Sequence, residues 1–283
     1  MHDILVRPPT LMADVEAEID RLVFCDQSLV TDATRYHLSA GGARVRAQLG
    51  LDAAVVLNLS RTASLACAAA PELLHNASLV HDDLQDGDAL RRAKPAVWKK
   101  FGRAVALSTG DLLISAAYAA LAAHPHPGAA LRAMHEAIAI TIRGQTQGDH
   151  DGHPSPDAYA AIAADKSGPL LALPVRLALI AANAPGEEAA LRAGRGLALA
   201  YQTLDDLADR HADRARGSTN ICLSLEAAGH TPATAAATAR SCAHAALDAA
   251  RREAMAIPGD AGAPFLGLAD RLETQLKELA DAA

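Results

Sequence analysis

Alanine and leucine carry most of the apolar half of this chain, and little β-branched or aromatic alternation interrupts them: hydrophobic residues make up 51% and aromatics only 3%. Both are strong helix formers, whereas strands draw on β-branched and aromatic residues at a period of two. The expected fold is therefore all-α. Helix-breaking residues are sparse and grouped: Gly41-Gly42, Pro71, Pro95, the run from His124 to Gly128, the segment Gly148 to Pro156, Pro185-Gly186, Gly217, and Pro258 to Pro264. Between them, apolar residues recur three and four apart. One such segment reads as opening at Pro71-Glu72, with proline in a first helical turn and Glu at the positive helix end, and running through Leu73, Leu74, Ala77 and Val80 into Asp82. No fixed-period repeat and no long linker divides the 283 residues. A single helical domain over 1–283, with roughly ten helices, is the expectation.

Charge narrows the ligand classes. Lys and Arg number 26 against 33 Asp and Glu, a net charge of −7, and the basic residues are dispersed. That balance excludes a nucleic-acid scaffold and a polybasic membrane anchor, so an anionic ligand would need a local basic cluster. Cys25, Cys67, Cys222 and Cys242 lie far apart with no CxxC pair, which fits a reducing cytoplasm and not a disulfide framework or zinc ribbon. The N-terminal residues lack the basic start and apolar run of a secretion signal. Apolar stretches are broken by Asp111, or by Pro174 and Arg176, before they reach the roughly 20 residues of a membrane span. A cytoplasmic protein with no transmembrane segment is expected.

Two segments resemble each other: Leu79-Val-His-Asp-Asp-Leu-Gln-Asp86 and Thr203-Leu-Asp-Asp-Leu-Ala-Asp209. Each has DDxxD spacing. On a helix, Asp82, Asp83 and Asp86 lie within one turn of each other, as do Asp205, Asp206 and Asp209. Like charges so placed repel, and two copies in apolar surroundings call for a cation. Solvated helix ends are the plain alternative. Oxygen-only ligands favour Mg²⁺, which keeps waters and completes its shell with substrate phosphates. Cationic residues follow the first cluster, in Arg91-Arg92-Ala-Lys94-Pro95, about two and a half turns on if the helix continues. Arg44 and Arg46 stand at a helix start, where backbone N–H groups also favour anions. His75 is seven residues, about two turns, before Asp82 and shares its face.

Taken in order, Gly41-Gly42-Ala43-Arg44-Val45-Arg46, Leu74-His75, Ser78, His81-Asp82-Asp83-Leu-Gln-Asp86, Leu90-Arg91-Arg92, Lys166-Ser167-Gly168 and Tyr201-Gln202-Thr-Leu-Asp205-Asp206-Leu-Ala-Asp209 resemble the trans-isoprenyl diphosphate synthases, from residue 41 to about 210. The resemblance implies a helical bundle of the isoprenoid synthase type with a central active-site cavity, usually a homodimer. It implies condensation of isopentenyl diphosphate with an allylic diphosphate, head to tail. It makes Asp82, Asp86 and Asp205 ligands of Mg²⁺, three ions with substrate bound, and Asp83, Asp206 and Asp209 their supports. Arg91 and Lys166 neutralise the departing diphosphate. Arg46, Arg92 and His75, with Arg44, hold isopentenyl diphosphate, and Gln202 and Ser167 stand near the reacting centre.

Product length is expected to follow the apolar wall below the first cluster. Ala77 and Ser78 are small there, as is the Leu112/Ile114/Ala116/Ala117 region, which implies a product longer than fifteen carbons, with twenty favoured. The chain departs from the family at Ala43, where lysine is usual, and after Asp209, where Arg210 to Asn220 read as a short lysine-free loop with Arg210, Arg214 or Arg216 as substitutes. Those departures keep a non-catalytic partner subunit as an alternative. A class I terpene cyclase is a second, disfavoured by the few aromatics and the second DDxxD, and a di-iron bundle lacks its Glu-x-x-His pairs. His150 and His153, with Asp149 and Asp151, read as a solvated turn, as do His124 and His126. Trp98, Phe101 and Tyr118 read as packing residues, and Gln145 with Asp149 as outer support.

Overall fold

The structure, a computed structural model, describes residues 12–24, 27–147 and 153–281. Cys25, Asp149, His150 and Asp151 lie outside the described residues. Those described form twelve α-helices, one short 3-10 turn and a two-stranded ladder. The chain divides into two compact units, Met1–Leu131 and Arg132–Ala283.

The first unit contains α1 (Met12–Val23), α2 (Leu29–Leu38), α3 (Val45–Val56), α4 (Arg61–Asp86), β1 (Leu90–Arg91), β2 (Lys94–Pro95), α5 (Val97–Phe101) and α6 (Arg103–Ala120). Its spine is α4, against which α1, α3, α5 and α6 pack. Ser60 starts α4 by accepting from the Ala63 amide, an ordinary N-cap. The helix does not open at Pro71, as the sequence implies; that proline sits buried in its middle. A proline inside a helix costs about 3 kcal/mol. Here every residue from Ala66 to Leu74 is buried, and continuous packing on both sides outweighs the one missing hydrogen bond. The carbonyl left without its helical donor is that of Cys67, four residues back, and Gly50 of α3 lies against it: a Cβ at Gly50 would stand 2.5 Å from that oxygen.

Among the described residues one stretch, Arg103–Ala123, is long and apolar enough to cross a membrane, contrary to the expectation that Asp111 breaks it short of that length. Asp111 interrupts it near its middle, and its helix packs on α2 and α4, burying Ala106, Leu113 and Ala117.

Helix α7 (Pro127–Gln147) spans the division between the units. The second unit continues with α8 (Pro156–Ala181), α9 (Glu187–Arg216), α10 (Ile221–Ala227), α11 (Pro232–Met255) and α12 (Ala263–Asp281). Its centre is α9, which packs on α8, α10, α11 and α12. Close approach of α8 and α9 depends on small residues: a Cβ at Gly194 would stand 2.6 Å from that of Ala172, and one at Gly168 would stand 2.8 Å from the Arg195 Cα. Residues 168 to 180 of α8 are buried without a break despite Pro169 and Pro174. The expected loop after Asp209 is instead helix, for α9 runs on to Arg216. Gly217 ends it at φ +71, where the missing Cβ permits the left-handed C-cap. Arg214 holds that last turn to Glu226 of α10 at 2.5 Å.

Candidate functional site

In the first unit the acidic motif occupies the last turn of α4. Asp86 is exposed and Asp82 half-buried, but Asp83 is only 1% exposed. Arg91 donates to Asp83 Oδ1 through Nε at 2.9 Å and also through Nη2. Burial pushes the Asp83 carboxyl above its ordinary range, and the Arg91 guanidinium pulls it back. Asp83 is thus tied to an arginine, while its neighbours remain on the accessible face.

Arg91 does not lie on a continuation of α4. Gly87, at φ +72, stops the helix, and the chain turns back through β1 and β2, with Leu90 opposite Pro95 and Arg91 opposite Lys94. Arg92 (φ +52) and Ala93 (φ +61) form the two-residue turn; both angles are positive, as the right-handed twist of a tight hairpin requires. Such short strands need outside support. Tyr36 of α2 donates to the Pro95 carbonyl at 2.8 Å, Trp98 Nε1 to the Asp88 carbonyl at 2.7 Å, and the Ala96 amide to the Ala89 carbonyl at 2.9 Å. Trp98 is therefore more than packing.

A basic cluster stands beside this hairpin. His75 of α4 is held well below its ordinary range by burial and then by the positive charges of Arg46, Arg92, His37 and Arg91. Arg46 lies in the first turn of α3. The structure thus brings together Arg46, His75 and Arg92, separated in sequence by up to 46 residues. It adds His37 of α2, 3% exposed, whose pKa is pushed down to about 4 by burial and by Arg92.

Arg44 takes a different position. It sits at the N-cap of α3 with φ +49 and donates Nε to Glu16 at 2.7 Å and Nη1 to Glu72 at 3.5 Å. Glu72, itself 3% exposed, also accepts from the Ala47 amide at 3.2 Å and from Asn76 at 3.3 Å. Arg44 and Glu72 together fasten the loop that delivers Arg46.

In the second unit the same division recurs. Asp205 and Asp209 are exposed on α9, whereas Asp206 is 3% exposed. Asp206 accepts from Tyr159 Oη at 2.5 Å, from Gln202 Nε2 at 2.9 Å and from the Ile221 amide at 2.6 Å. Asn220, the N-cap of α10, donates to the Asp206 carbonyl and to Asp213. Burial raises the Asp206 carboxyl, and these donors oppose the shift. The Asp205 carboxyl is pushed up to about 6 by burial, then by the charges of Asp206 and Asp209. Lys166 and Ser167 are half-buried on α8, and a Cβ at Gly144 of α7 would stand 2.5 Å from the Lys166 amide nitrogen. A hollow of about 440 Å³ opens beside Asp205, lined by Tyr201, Leu204 and Ala208 of α9 and by Gln275 and Glu278 of α12.

Among the described residues, no three His, Cys, Asp or Glu side chains gather closely enough to enclose a metal ion by themselves. The donor set is nevertheless oxygen-only and outward-facing, with carboxylates one helical turn apart. It fits a cation such as Mg²⁺, which draws the rest of its shell from water and phosphate oxygens. The repulsion that raises Asp205 is what a bound cation would relieve.

Other expected residues resolve as follows. Ala77 is 1% exposed, and the half-buried Ser78 donates to the His75 carbonyl at 2.9 Å. Ala116 and Ala117 are buried, and Leu112 and Ile114 half-buried. Arg210 donates to the Pro232 carbonyl at 3.2 Å and Arg216 pairs with Asp213 at 3.9 Å, so these arginines, with Arg214, serve the end of α9. His124, expected in a solvated turn, is instead 3% exposed, and its Nδ1 accepts from the His126 amide at 3.0 Å. His37, Glu72, Tyr159 and Asn220 were not legible as site residues. Tyr159 lies two turns before Lys166 on α8, but only the fold brings it to Asp206.

A profile of the polyprenyl synthetase family matches residues 27–241. The chain is 38% identical over 173 residues to (2E,6E)-farnesyl diphosphate synthase of Mycobacterium tuberculosis, covering 59% of this chain and 48% of that protein. It therefore spans about half the length of the curated relatives it matches first. It is 33% identical over 291 residues to a probable farnesyl diphosphate synthase of Bradyrhizobium diazoefficiens, covering 95% of this chain and 84% of that one. Its fold is similar to that of a polyprenyl synthase from Caulobacter crescentus, crystallised with calcium and isoprenyl diphosphate, with a TM-score of 0.82 at 24% identity over 92% of this chain and 93% of that one.

Proposed function

Because the chain belongs to the polyprenyl synthetase family, we propose that it condenses isopentenyl diphosphate head to tail with an allylic diphosphate to give a linear isoprenyl diphosphate. The observation that carries this reading is the repeated arrangement of the two acidic motifs. In each, the inner carboxylate is anchored by the protein, at Asp83 by Arg91 and at Asp206 by Tyr159, Gln202 and the Ile221 amide. The outer carboxylates, Asp82 and Asp86 in one motif and Asp205 and Asp209 in the other, are more accessible than the inner one and stand where a cation can reach them. A solvated helix end has no need of such an anchor.

On this reading Asp82, Asp86, Asp205 and Asp209 hold Mg²⁺, three ions with substrate bound. When bound, Mg²⁺ neutralises charge on the diphosphate that leaves. Arg91 and Lys166 add positive charge at the departing oxygens, and the Asp83 contact fixes where the Arg91 fork points. Arg46, Arg92 and His75 hold isopentenyl diphosphate with its double bond turned towards the allylic carbon, and proximity then lowers the barrier. His75, kept neutral by its surroundings, acts there as a neutral hydrogen-bonding group beside the two guanidinium groups. Gln202 and Ser167 offer oriented dipoles that do not trap the allylic cation. Attack of the isopentenyl double bond on the allylic carbon forms the new carbon–carbon bond and a condensed cation, which gives up one proton to the departed diphosphate to leave the new double bond.

Arg44 acts through Arg46, by fastening the α3 loop to Glu16 and Glu72. The small residues Ala77 and Ser78, one to two turns before Asp82 on α4, support a product of twenty carbons. A homodimer is the assembly this reading carries.

The test is to incubate the purified protein with Mg²⁺, labelled isopentenyl diphosphate and each of the five-, ten- and fifteen-carbon allylic diphosphates. A ladder ending in one linear diphosphate, abolished by Asp82→Ala, is expected. No turnover by folded protein would overturn the reading in favour of a non-catalytic partner subunit, with Ala43 as the natural cause.

A further inference from the structure

Gly41 and Gly42 both have positive φ, +81 and +140, yet their surroundings differ. Nothing lies within 4 Å of a Cβ built on Gly41. A Cβ on Gly42 would stand 2.6 Å from Arg92 Nη2, 2.8 Å from Cζ and 2.9 Å from Nη1. Three guanidinium atoms at nearly equal distance mean that the plane of the group lies across the Gly42 main chain, where any side chain would be.

The backbone that carries Arg92 is fixed, and its exposed side chain reaches back from there to Gly42. Arg92 occupies the first position of the two-residue turn at φ +52. The hairpin carrying that turn is held by Tyr36 and Trp98, and by Arg91 on Asp83. On the other side, the loop carrying Gly42 is held by Arg44 on Glu16 and by Glu72 on the Ala47 amide. Both elements are thus fastened independently, and their meeting point is the guanidinium of Arg92 on Gly42. Burial lowers the Arg92 pKa, and the neighbouring charges of Arg44 and Arg91 lower it further. The carboxylates of Glu72 and Asp83 act in the opposite sense.

We infer that Gly42 is a positioning residue: its missing side chain is the seat on which the Arg92 guanidinium lies flat, presenting its donors beside Arg46 and His75 to a diphosphate. This inference rests on the proposed reading for the identity of the natural diphosphate, but the seat itself can be tested with inorganic pyrophosphate, without turnover.

The experiment is a double-mutant cycle. Pyrophosphate affinity by calorimetry and the thermal midpoint are measured for the natural protein, Gly42→Ala, Arg92→Ala and the double variant, with Gly41→Ala as the control for backbone strain. Gly42→Ala should weaken pyrophosphate binding about tenfold, the worth of one displaced charge-assisted donor. In the Arg92→Ala background the same change should do almost nothing to affinity, and its loss of thermal midpoint should shrink to the backbone strain that φ +140 imposes. If Gly42→Ala alone does not fold, the double variant should, because the clash is gone.

Equal effects of Gly42→Ala with and without Arg92, on affinity or on folding, would overturn the inference, since the penalty would then belong to the backbone alone. Failure of both variants to fold would overturn it for the same reason. If the natural protein never consumes isopentenyl diphosphate yet the pyrophosphate coupling is present, the condensation reading fails and the seat stands. Where turnover is seen, Gly42→Ala should raise KM for isopentenyl diphosphate about tenfold and leave kcat nearly unchanged.

Discussion

The phenol of Tyr159 stands 2.5 Å from Oδ2 of Asp206, and the Ile221 amide stands 2.6 Å from the same oxygen. Helices α8 and α10 therefore meet on a single carboxylate of α9. The bond is made in a buried place, where such contacts are strongest. Tyr159→Phe removes one of the three donors to Asp206 and should destabilise the protein by about 2 kcal/mol. Urea unfolding reads this directly. An unchanged midpoint would mean that Asp206 is held adequately by Gln202 and the Ile221 amide.

Activity should separate the outer carboxylates from the inner ones. Asp82→Ala and Asp205→Ala should each lower kcat about a hundredfold or more, with thermal stability nearly kept, because a repelling like charge is removed from each motif. Asp83→Ala should instead lose about 2 kcal/mol of stability, since it leaves Arg91 half-buried without its carboxylate. Equal loss of stability in all three variants would remove the distinction between ligand and anchor.

Acid should weaken the first unit through His37. Its pKa in the fold is about 4, below the ordinary 6.5, because burial and Arg92 disfavour the charged ring. The unfolded chain therefore binds more protons between these values, and stability falls as pH falls. The contribution is complete above pH 6.5 and is lost progressively down to about pH 4, at most about 3 kcal/mol. His75 is shifted in the same direction. Stability measured at pH 7 and pH 5 should fall less in His37→Gln than in the natural protein. Identical losses would mean that His37 is not the titrating group.

Product length tests the wall of α4. Ala77 is 1% exposed and five residues before Asp82. Ala77→Phe should shorten the longest product, at a stability cost of about 1–3 kcal/mol from overpacking. Chromatography of the product ladder checks it. A ladder of unchanged length from a folded variant would place the floor elsewhere.

The chain's own order of residues already specified an all-α protein, because an Ala/Leu interior with 3% aromatics offers strands almost nothing to pack. It also placed the carboxylates of each DDxxD motif within one helical turn of each other. His75 and Asp82 follow from the same periodicity. What the sequence could not decide is which Asp of each triplet faces inward, for that depends on distant donors: Arg91 on a hairpin, Tyr159 on another helix. It misplaced Pro71 as a helix start because local propensity weighs the lost hydrogen bond, while packing of Ala66 to Leu74 on neighbouring helices weighs more. It left open whether Arg91 and Arg92 continue α4, and it took Arg210 to Arg216 as a loop, because Gly87 and Gly217 set helix ends through a backbone angle, not a pattern. Local interactions act over a turn or two and are written in the order of residues. The pairing of Gly42 with Arg92, and of Arg44 with Glu16 and Glu72, joins segments 28 to 50 residues apart, and only the closed chain brings them within reach.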